Sequence, residues 1–190
     1  MQLNQNLTGR ELSRHMRPIF QKYGVLPPCG ADMAEARNLA AELIGGELVA
    51  TETLQRVQAY TDCAVAVAHE EGQVTGVLAW VHLNAAGVDA VMSGAFDVFN
   101  PAEAHMAAPD EIVCGTYGWG IAASTKPTAK RLGAVSEEGA PLYEHVARFA
   151  RIATEAGRRF MCDRLGYREL PGSDLVWLPA TAPIRTAEAA

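Results

Sequence analysis

Three basic residues surround a proline in a segment whose pattern suits phosphate binding. Residues 123–131 contain Lys126, Lys130 and Arg131, with Pro127 at a predicted helix start. Proline fits the first helical position because its missing N–H has no partner there. Backbone amides and the helix dipole at such a start attract anions, and neighbouring cations add to that attraction. The segment therefore predicts contact with the phosphates of a ligand.

The four cysteines are too widely spaced for a predicted metal site. Cys29, Cys63, Cys114 and Cys162 lie 34, 51 and 48 residues apart, and none forms a Cys-x-x-Cys pair. We expect neither a metal nor a disulfide framework. The first residues, Met1–Asn6, carry no basic start and no apolar stretch typical of an export signal. We therefore expect a reduced, cytoplasmic protein.

Composition excludes several classes of protein. The chain has 190 residues, of which 49% are hydrophobic, and this predicts one domain with a sizeable core. A net charge of −6 argues against nucleic-acid binding, which requires clustered cations. The longest uncharged run, residues 72–88, is interrupted by polar side chains, so we expect no membrane span.

The first part of the chain, residues 1–58, reads as helical and is expected to pack on a core that follows it. Thr8 and Glu11 have the spacing of a capping box, and Pro18 is expected to kink or divide the helix that follows. Apolar residues recur at helical spacing from Asp32 to Ile44, and a third helix is expected from about Glu47 to Gln58.

Strands are expected after residue 60. The apolar runs Cys63–Ala68 and Val74–Val81 flank a Gly-containing turn and predict an antiparallel hairpin. We expect an irregular strand over Gly87–Phe99, a short helix begun by Asn100, and a long strand over Glu111–Ser124 that carries three glycines. The resulting fold class is α/β (α+β), with a mixed, mainly antiparallel sheet flanked by helices.

The end of the chain is expected to contain two further helices and a hairpin. A helix is predicted from Lys126 to about Val135, and the period of Leu142–Ala153 fits either a strand or a helix. Thr154 and Glu155 start a helix that stops at Gly166, and a closing hairpin follows over 167–178. Residues 181–190 are expected to form a tail.

The segment that ends in Leu165-Gly166-Tyr167 resembles the last core helix of the GCN5-related N-acetyltransferase (GNAT) family. Members commonly end that helix with Leu-Gly-Phe or Leu-Gly-Tyr, and the predicted element order agrees over residues 62–178. The resemblance implies a GNAT-like acyl-CoA N-acyltransferase core over residues 59–180. It also implies transfer of an acetyl or other acyl group from acetyl-CoA or another acyl-CoA to an amine.

Two segments match parts of the family's coenzyme A signature, which is Gln or Arg, two residues, Gly, one residue, then Gly or Ala. In the first, Gly120 and Ala122 are in place but Tyr117 stands where the family has Gln or Arg. In the second, 123–131, the helix start and cations are present but the glycines are missing, and we slightly favour this segment. The residues predicted to bind the cofactor are Gly120, Ile121, Ala122, Ala123, Ser124, Thr125, Lys126, Thr128, Ala129, Lys130 and Arg131.

The resemblance also implies catalytic roles. A backbone N–H is expected to stabilise the oxyanion, and the family's acid is often a Tyr four residues before the glycine of the terminal signature, where this chain has Cys162. Candidates for the base are Glu111, His82 and Tyr117. Each has a structural alternative: Cys162 as a small buried residue, Glu111 as a solvated charge, and His82 as an exposed strand residue. Tyr143 and Tyr167 read as packing residues. Five arginines could attract a nucleotide phosphate, although charges on outer helix faces are usually solvated; they are Arg148, Arg151, Arg158, Arg159 and Arg164.

Two alternatives to this function stay open. Leu78–Leu83 and Trp119–Ala122 loosely resemble strands of the bacterial toxin-activating lysine acyltransferases, which take acyl groups from acyl carrier protein, although no matching histidine context surrounds His15. The other alternative is a non-catalytic GNAT-like domain that binds an acyl-CoA or regulates a partner. The acceptor is expected to be a small-molecule or peptide amine. The N-terminal helices are candidates to replace the family's first strand, to cover the acceptor groove or to form a homodimer face.

Overall fold

A central hairpin of the kind predicted sets the direction of the sheet. It consists of β2 (Val65–Glu70) and β3 (Gln73–Leu83), and the turn between them places Glu71 and Gly72 at φ of 53° and 79°. Two successive residues with positive φ are typical of the tight turns whose twist matches a hairpin. The computed structural model describes residues 7–181.

Seven strands form a single sheet in the order β1-β2-β3-β4-β5-β7-β6. The pairs are antiparallel except β4 with β5, which are parallel and are connected by a helix, as a parallel pair requires. The sequence patterns did not predict the edge strand β1, which is the first strand along the chain. The remaining strands are β1 (Val25–Leu26), β4 (Gly115–Ala123), β5 (Ala147–Arg151), β6 (Arg168–Glu169) and β7 (Leu175–Leu178).

Helices cover both faces of the sheet. Helices α1 (Gly9–Lys22) and α5 (Lys126–Gly139) bury apolar residues on one face, together with Ala66 and Ala68 of β2. Helices α2 (Asp32–Ile44), α3 (Thr51–Thr61) and α4 (Ala85–Met92) pack on the other face, with Val65 and Val67. This architecture confirms the predicted fold class. From about residue 60 the hairpin, the long strand, the helix after it and the closing hairpin come in the predicted order, while the segment between β3 and β4 differs.

Local signals at two helix starts are confirmed. The Thr8 side chain accepts from the Glu11 amide while the Glu11 carboxylate accepts from the Thr8 amide, which is the complete capping box. Helix α1 continues through Pro18 rather than dividing there. Helix α5 begins as predicted, with Thr125 as N-cap and Pro127 in its first turn, and extends to Gly139.

The strand predicted over Gly87–Phe99 is wrong, because α4 occupies the first part of that range and no strand follows it there. Asn84 caps the helix by accepting from the Gly87 amide at 3.0 Å. A Cβ at Gly87 would lie 2.0 Å from the His105 carbonyl oxygen, so the helix packs there only with glycine. The helix predicted at Asn100 is reduced to a single 3₁₀ turn, Glu103–His105, and β4 begins at Gly115, four residues after Glu111.

The ambiguous segment before the last helix contains both structures. A 3₁₀ turn over Ala140–Tyr143 is followed by β5. Helix α6 (Glu155–Arg158), capped by Thr154 as predicted, continues into a π-helical turn over Arg159–Arg164. Gly166, at φ 79°, ends it, and the predicted closing hairpin follows as β6 and β7.

Candidate functional site

The sheet opens between β4 and β5. β4 pairs with β3 over its whole length, but β5 pairs with it only from Gly115 to Gly118. Beyond that point no described strand covers the second edge of β4. The Ser124 amide donates to the Thr75 carbonyl on the β3 side. Because backbone directions alternate along a strand, the N–H and C=O groups of Ile121 and Ala123 face the open edge and can bond to a ligand.

A β-bulge lies where the two strands part. Trp80 is paired with Gly118 and Ala79 with Gly120, so Trp119 is the extra residue on β4. Its indole N–H donates to the Val98 carbonyl at 2.8 Å, which fixes the side chain. The bulge takes the backbone of Trp119 out of the ladder. The bulge therefore lies at the mouth of the opening between β4 and β5.

A large cavity lies on the face covered by α1 and α5. We call it the α5 cavity, and its volume is about 420 Å³, within the range of small-molecule sites. It extends from Ile121 and Thr154, at the open ends of β4 and β5, to Arg148 at their paired ends. The wall is mainly apolar and aromatic, and includes Met16, Phe20, Trp80, Val135, Phe160 and Met161.

A smaller cavity of about 110 Å³, the α2 cavity, lies on the opposite face of the sheet. Arg37, Val49 and Tyr117 are among its lining residues. Both cavities share Gly118, Trp119 and Gly120, and we call these three residues the junction. Two ligands that entered from opposite faces would meet there.

Two charged side chains line both cavities near the junction. Glu47 is an exposed carboxylate in the loop after α2, and Arg151 forms an ion pair with Asp174 at 2.8 Å. The loop is close to the strand, because a Cβ at Gly120 would lie 3.2 Å from Ile44 Cδ1. Glu47 is therefore placed to bind or deprotonate a cationic ligand.

A buried histidine supports the wall of the α5 cavity. The Trp80 indole donates to Nε2 of His82 at 3.1 Å, and the Tyr143 hydroxyl lies 3.2 Å from the same nitrogen. An indole N–H only donates, so Nε2 accepts and the ring proton is assigned to Nδ1, which is buried without a partner among the described residues. Burial lowers the pKa of His82 to about 4. His82 is thus a neutral residue that orients Trp80 and Tyr143.

Arg148 faces the α5 cavity beside Tyr167. Its Cζ lies 6.0 Å from the centroid of the Tyr167 ring, and its Nε is buried without a hydrogen-bond partner within residues 7–181. Burial raises the pKa of Tyr167, with an opposing contribution from Arg148. The cavity therefore carries a positive charge and a protonated phenol.

The start of α5 is already occupied by the chain itself. One Glu70 oxygen, Oε1, accepts from the hydroxyls of Thr128 (2.8 Å) and Thr125 (3.2 Å) and from Arg131 (3.2 Å). Thr125 also accepts from the amides of Thr128 and Ala129, and Pro127 has no N–H. Three of the first four positions of α5 therefore have no amide to offer, and a carboxylate lies where a phosphate would bind. The pyrophosphate of coenzyme A does not fit this arrangement, although Lys126 and Lys130 are exposed.

The residues predicted to act in catalysis are spread over several places. Tyr117 is buried, lines the α2 cavity and has a pKa raised by burial. Cys162 is half-buried in the π-helical turn and lines neither cavity. Glu111 is exposed before β4 and accepts from the Ala108 amide, outside both cavities. His82 is fully buried rather than exposed. Among the predicted cofactor-binding residues, Gly120 and Ile121 line the α5 cavity.

Sequence reasoning missed several residues that line the site. Tyr143 and Tyr167 read as packing residues, and Arg148 as a solvated charge. One signal for Arg148 was present, because it falls inside a short apolar segment between Val146 and Phe149. A charge at such a position is costly unless it has a partner or a ligand. Glu47 was predicted to begin the third helix, but α3 begins at Thr51 and Glu47 lies in the loop before it, a placement that no sequence pattern indicated.

The described residues offer neither a clustered metal site nor a membrane-spanning helix. Residues 7–181 contain no group of three or more His, Cys, Asp or Glu side chains arranged to hold a metal ion. Within the same range, no helix combines the length and apolar character needed to cross a membrane.

Comparison with known proteins finds similarity to solved structures but not to a family model or a curated protein. No family model matches the sequence, and no curated protein matches it. A crystal structure from Corynebacterium glutamicum, described as histone acetyltransferase HPA2 and related acetyltransferase, is similar with a TM-score of 0.47 and 19% identity. The match covers 84% of this chain and 97% of that one.

Proposed function

We propose that this protein is an acyltransferase that moves an acyl group from a thioester to an amine at the junction of β4 and β5. The observation that carries the proposal is the meeting of two cavities from opposite faces at the bulge of Trp119. Acyl transfer between two substrates needs both to reach one point in a fixed orientation. A backbone amide is available at that point.

The donor fits the α5 cavity through its arm and acyl group. The open edge of β4 offers the N–H and C=O groups of Ile121 and Ala123, which suit the amides of a pantetheine arm. The apolar wall suits the acyl group. Acetyl-CoA or another acyl-CoA was the donor expected from sequence, and acyl carrier protein carries the same arm without the nucleotide. The Glu70 carboxylate at the start of α5 favours the carrier protein.

Chemistry then requires three groups from the chain. Glu47 takes a proton from the acceptor ammonium, and the freed amine forms a C–N bond to the carbonyl carbon. The Trp119 amide stabilises the oxyanion, a role for preorganised N–H donors. As the C–S bond breaks, Tyr167 gives its proton to the thiolate, and the second amine proton leaves to solvent. The products are an amide and a thiol. Tyr167 suits this step because burial keeps it protonated.

Thiol release from acyl-pantetheine thioesters, measured with a panel of small amines and peptides, tests the proposal. Glu47→Gln and Tyr167→Phe should each lower kcat/KM by about 10²-fold or more. Tyr23→Phe is the matched control, because the Tyr23 hydroxyl bonds Glu138 at the surface. Cys162→Ala tests the acid predicted from sequence and should leave the rate unchanged, since Cys162 lines neither cavity. Unchanged rates in both Glu47→Gln and Tyr167→Phe would refute the roles proposed here.

A further inference from the structure

Arg148 is distinct among the arginines of the last third of the chain. Of the seven arginines that the structure describes in this third, five form an ion pair with a carboxylate, while Arg148 and the exposed Arg168 form none within residues 7–181. The pairs are Arg131–Glu70, Arg151–Asp174, Arg158–Glu169, Arg159–Glu155 and Arg164–Glu137. The Nε of Arg148 is also buried without a hydrogen-bond partner in that range. Arg148 as a whole is half-buried, and burying the Nε–H of a guanidinium without an acceptor is costly. Because Arg148 lines the α5 cavity, the anion that completes it belongs to a ligand.

The position of Arg148 decides which part of the ligand is anionic. The cavity opens where β4 and β5 part, beyond Gly118 and Ala150, and Arg148 pairs with Thr116 two residues toward the closed end. At a rise of about 3.3 Å per residue, this places Arg148 about 7 Å deeper along the strand than the point where the ladder ends. A donor that enters from the open end inserts its acyl group first and its pantetheine arm last. Its phosphate stays outside, and its acyl group reaches Arg148.

We propose that the acyl group carries a carboxylate at its far end, as in succinyl or glutaryl thioesters, and that Arg148 binds this carboxylate. The inference rests on the proposed function, because it assumes that the thioester lies at the junction. Apolar cavity walls accommodate the methylene groups, and the planar guanidinium of Arg148 forms charge-assisted hydrogen bonds to the carboxylate. A neutral acyl group of the same length leaves the cation unpaired and binds more weakly. Arg148 thus sets donor specificity without taking part in the chemical step.

Calorimetric binding of three pantetheine thioesters to the full chain tests this inference. The probes are glutaryl-, valeryl- and the neutral glutaramoyl-pantetheine, which share a chain length and lack the nucleotide. We expect glutaryl to bind wild type about tenfold or more tightly than either neutral probe. In Arg148→Met the ratio should fall to about one, while the control Arg164→Met should keep it, since Arg164 pairs with Glu137 and lines neither cavity.

The outcomes separate the inference from the proposed function. Equal binding of the three probes by wild type would overturn the inference and leave the proposed function standing, and this result does not depend on whether any variant folds. A preference for glutaryl that survives in folded Arg148→Met would also overturn it. Binding of none of the probes would instead refute the proposed function and, with it, the donor site. Weakened preference in Arg148→Lys would support bidentate recognition of the carboxylate.

Discussion

Burial of His82 should make the folded protein sensitive to acid. The side chain is fully buried on β3, and burial lowers its pKa from 6.5 to about 4. The polar groups around it do not titrate in this range, because burial raises the pKa of Tyr143 well above its usual value and that of Cys63 to about 11. Protonated His82 therefore has no anion to pair with, and the unfolded chain binds its proton more readily.

The sign and size of the effect follow from this difference. Between about pH 6.5 and pH 4 the unfolded state binds more protons, so stability rises with pH in that window. The stabilising contribution of neutral His82 is fully present above pH 6.5 and is lost as the pH falls toward 4. The gap between the two pKa values corresponds to about 3 kcal/mol of unfolding free energy.

Urea unfolding of wild type and His82→Gln from pH 4 to pH 8 measures this contribution. The Gln amide oxygen can accept from the Trp80 indole, so the variant should fold. It should lose about 3 kcal/mol less than wild type between pH 6.5 and pH 4. His145→Gln is the control for a second histidine: burial also lowers the pKa of that half-buried ring, so this variant shows how much of the pH dependence comes from outside His82. A stability difference between wild type and His82→Gln that stays constant across this range would refute the assignment of His82 as a buried neutral base.

Three further variants probe the cavities and the fold. Glu70→Ala should raise the affinity for coenzyme A relative to pantetheine, because it removes the carboxylate from the start of α5. Glu71→Ala, in the turn, is the control and should leave this affinity ratio unchanged. If calorimetry gives the same ratio for both variants, the Glu70 carboxylate does not exclude the pyrophosphate. Gly120→Val should abolish binding of pantetheine thioesters, because its side chain fills the junction. The Gly118→Ala variant should still bind them, because the added Cβ lies at an ordinary contact distance, 3.6 Å from Ala150. Binding by both variants would show that the junction is not the site. Gly87→Ala should lower the free energy of unfolding, measured in urea, by about 3 kcal/mol or more, because its Cβ meets the His105 carbonyl. Ala86→Ser, at an exposed position of the same helix, is the control and should change it little. A smaller loss in Gly87→Ala would mean that α4 shifts away from His105.

Patterns that depend on neighbouring residues predicted the fold well. The capping box at Thr8, the hairpin around Gly72 and the start of α5 are each set by residues within one turn or hairpin. The errors fall where a distant contact decides. Residues 87–99 contain enough apolar residues for a strand, but Gly87 fits under the His105 carbonyl and only a helix uses that fit. The two-residue strand β1 is too short to have a recognisable period.

The position of Cys162 shows a different limit of sequence reasoning. Counting four residues back from Gly166 assumes a regular α-helix, in which each residue turns by a constant angle. The structure has a π-helical turn instead, with the Leu165 amide donating to the Phe160 carbonyl five residues earlier. That turn inserts an extra residue and changes which side chains face the sheet. Phe160, Met161 and Leu165 line the α5 cavity, and Cys162 does not.

The charges around the α5 cavity are arranged differently from the sequence expectation, and the difference has a functional consequence. Arg131, predicted to meet a phosphate, is paired with Glu70, whereas Arg148, read as solvated, has a buried Nε without a hydrogen-bond partner in the described chain. The cation that can bind an anion therefore lies at the closed end of the α5 cavity, and not at the start of α5 as the sequence predicted. In the proposed function, the donor therefore depends less on its nucleotide and more on its acyl group. This accounts at once for the weak coenzyme A signature and for an arginine at the paired end of β4 and β5.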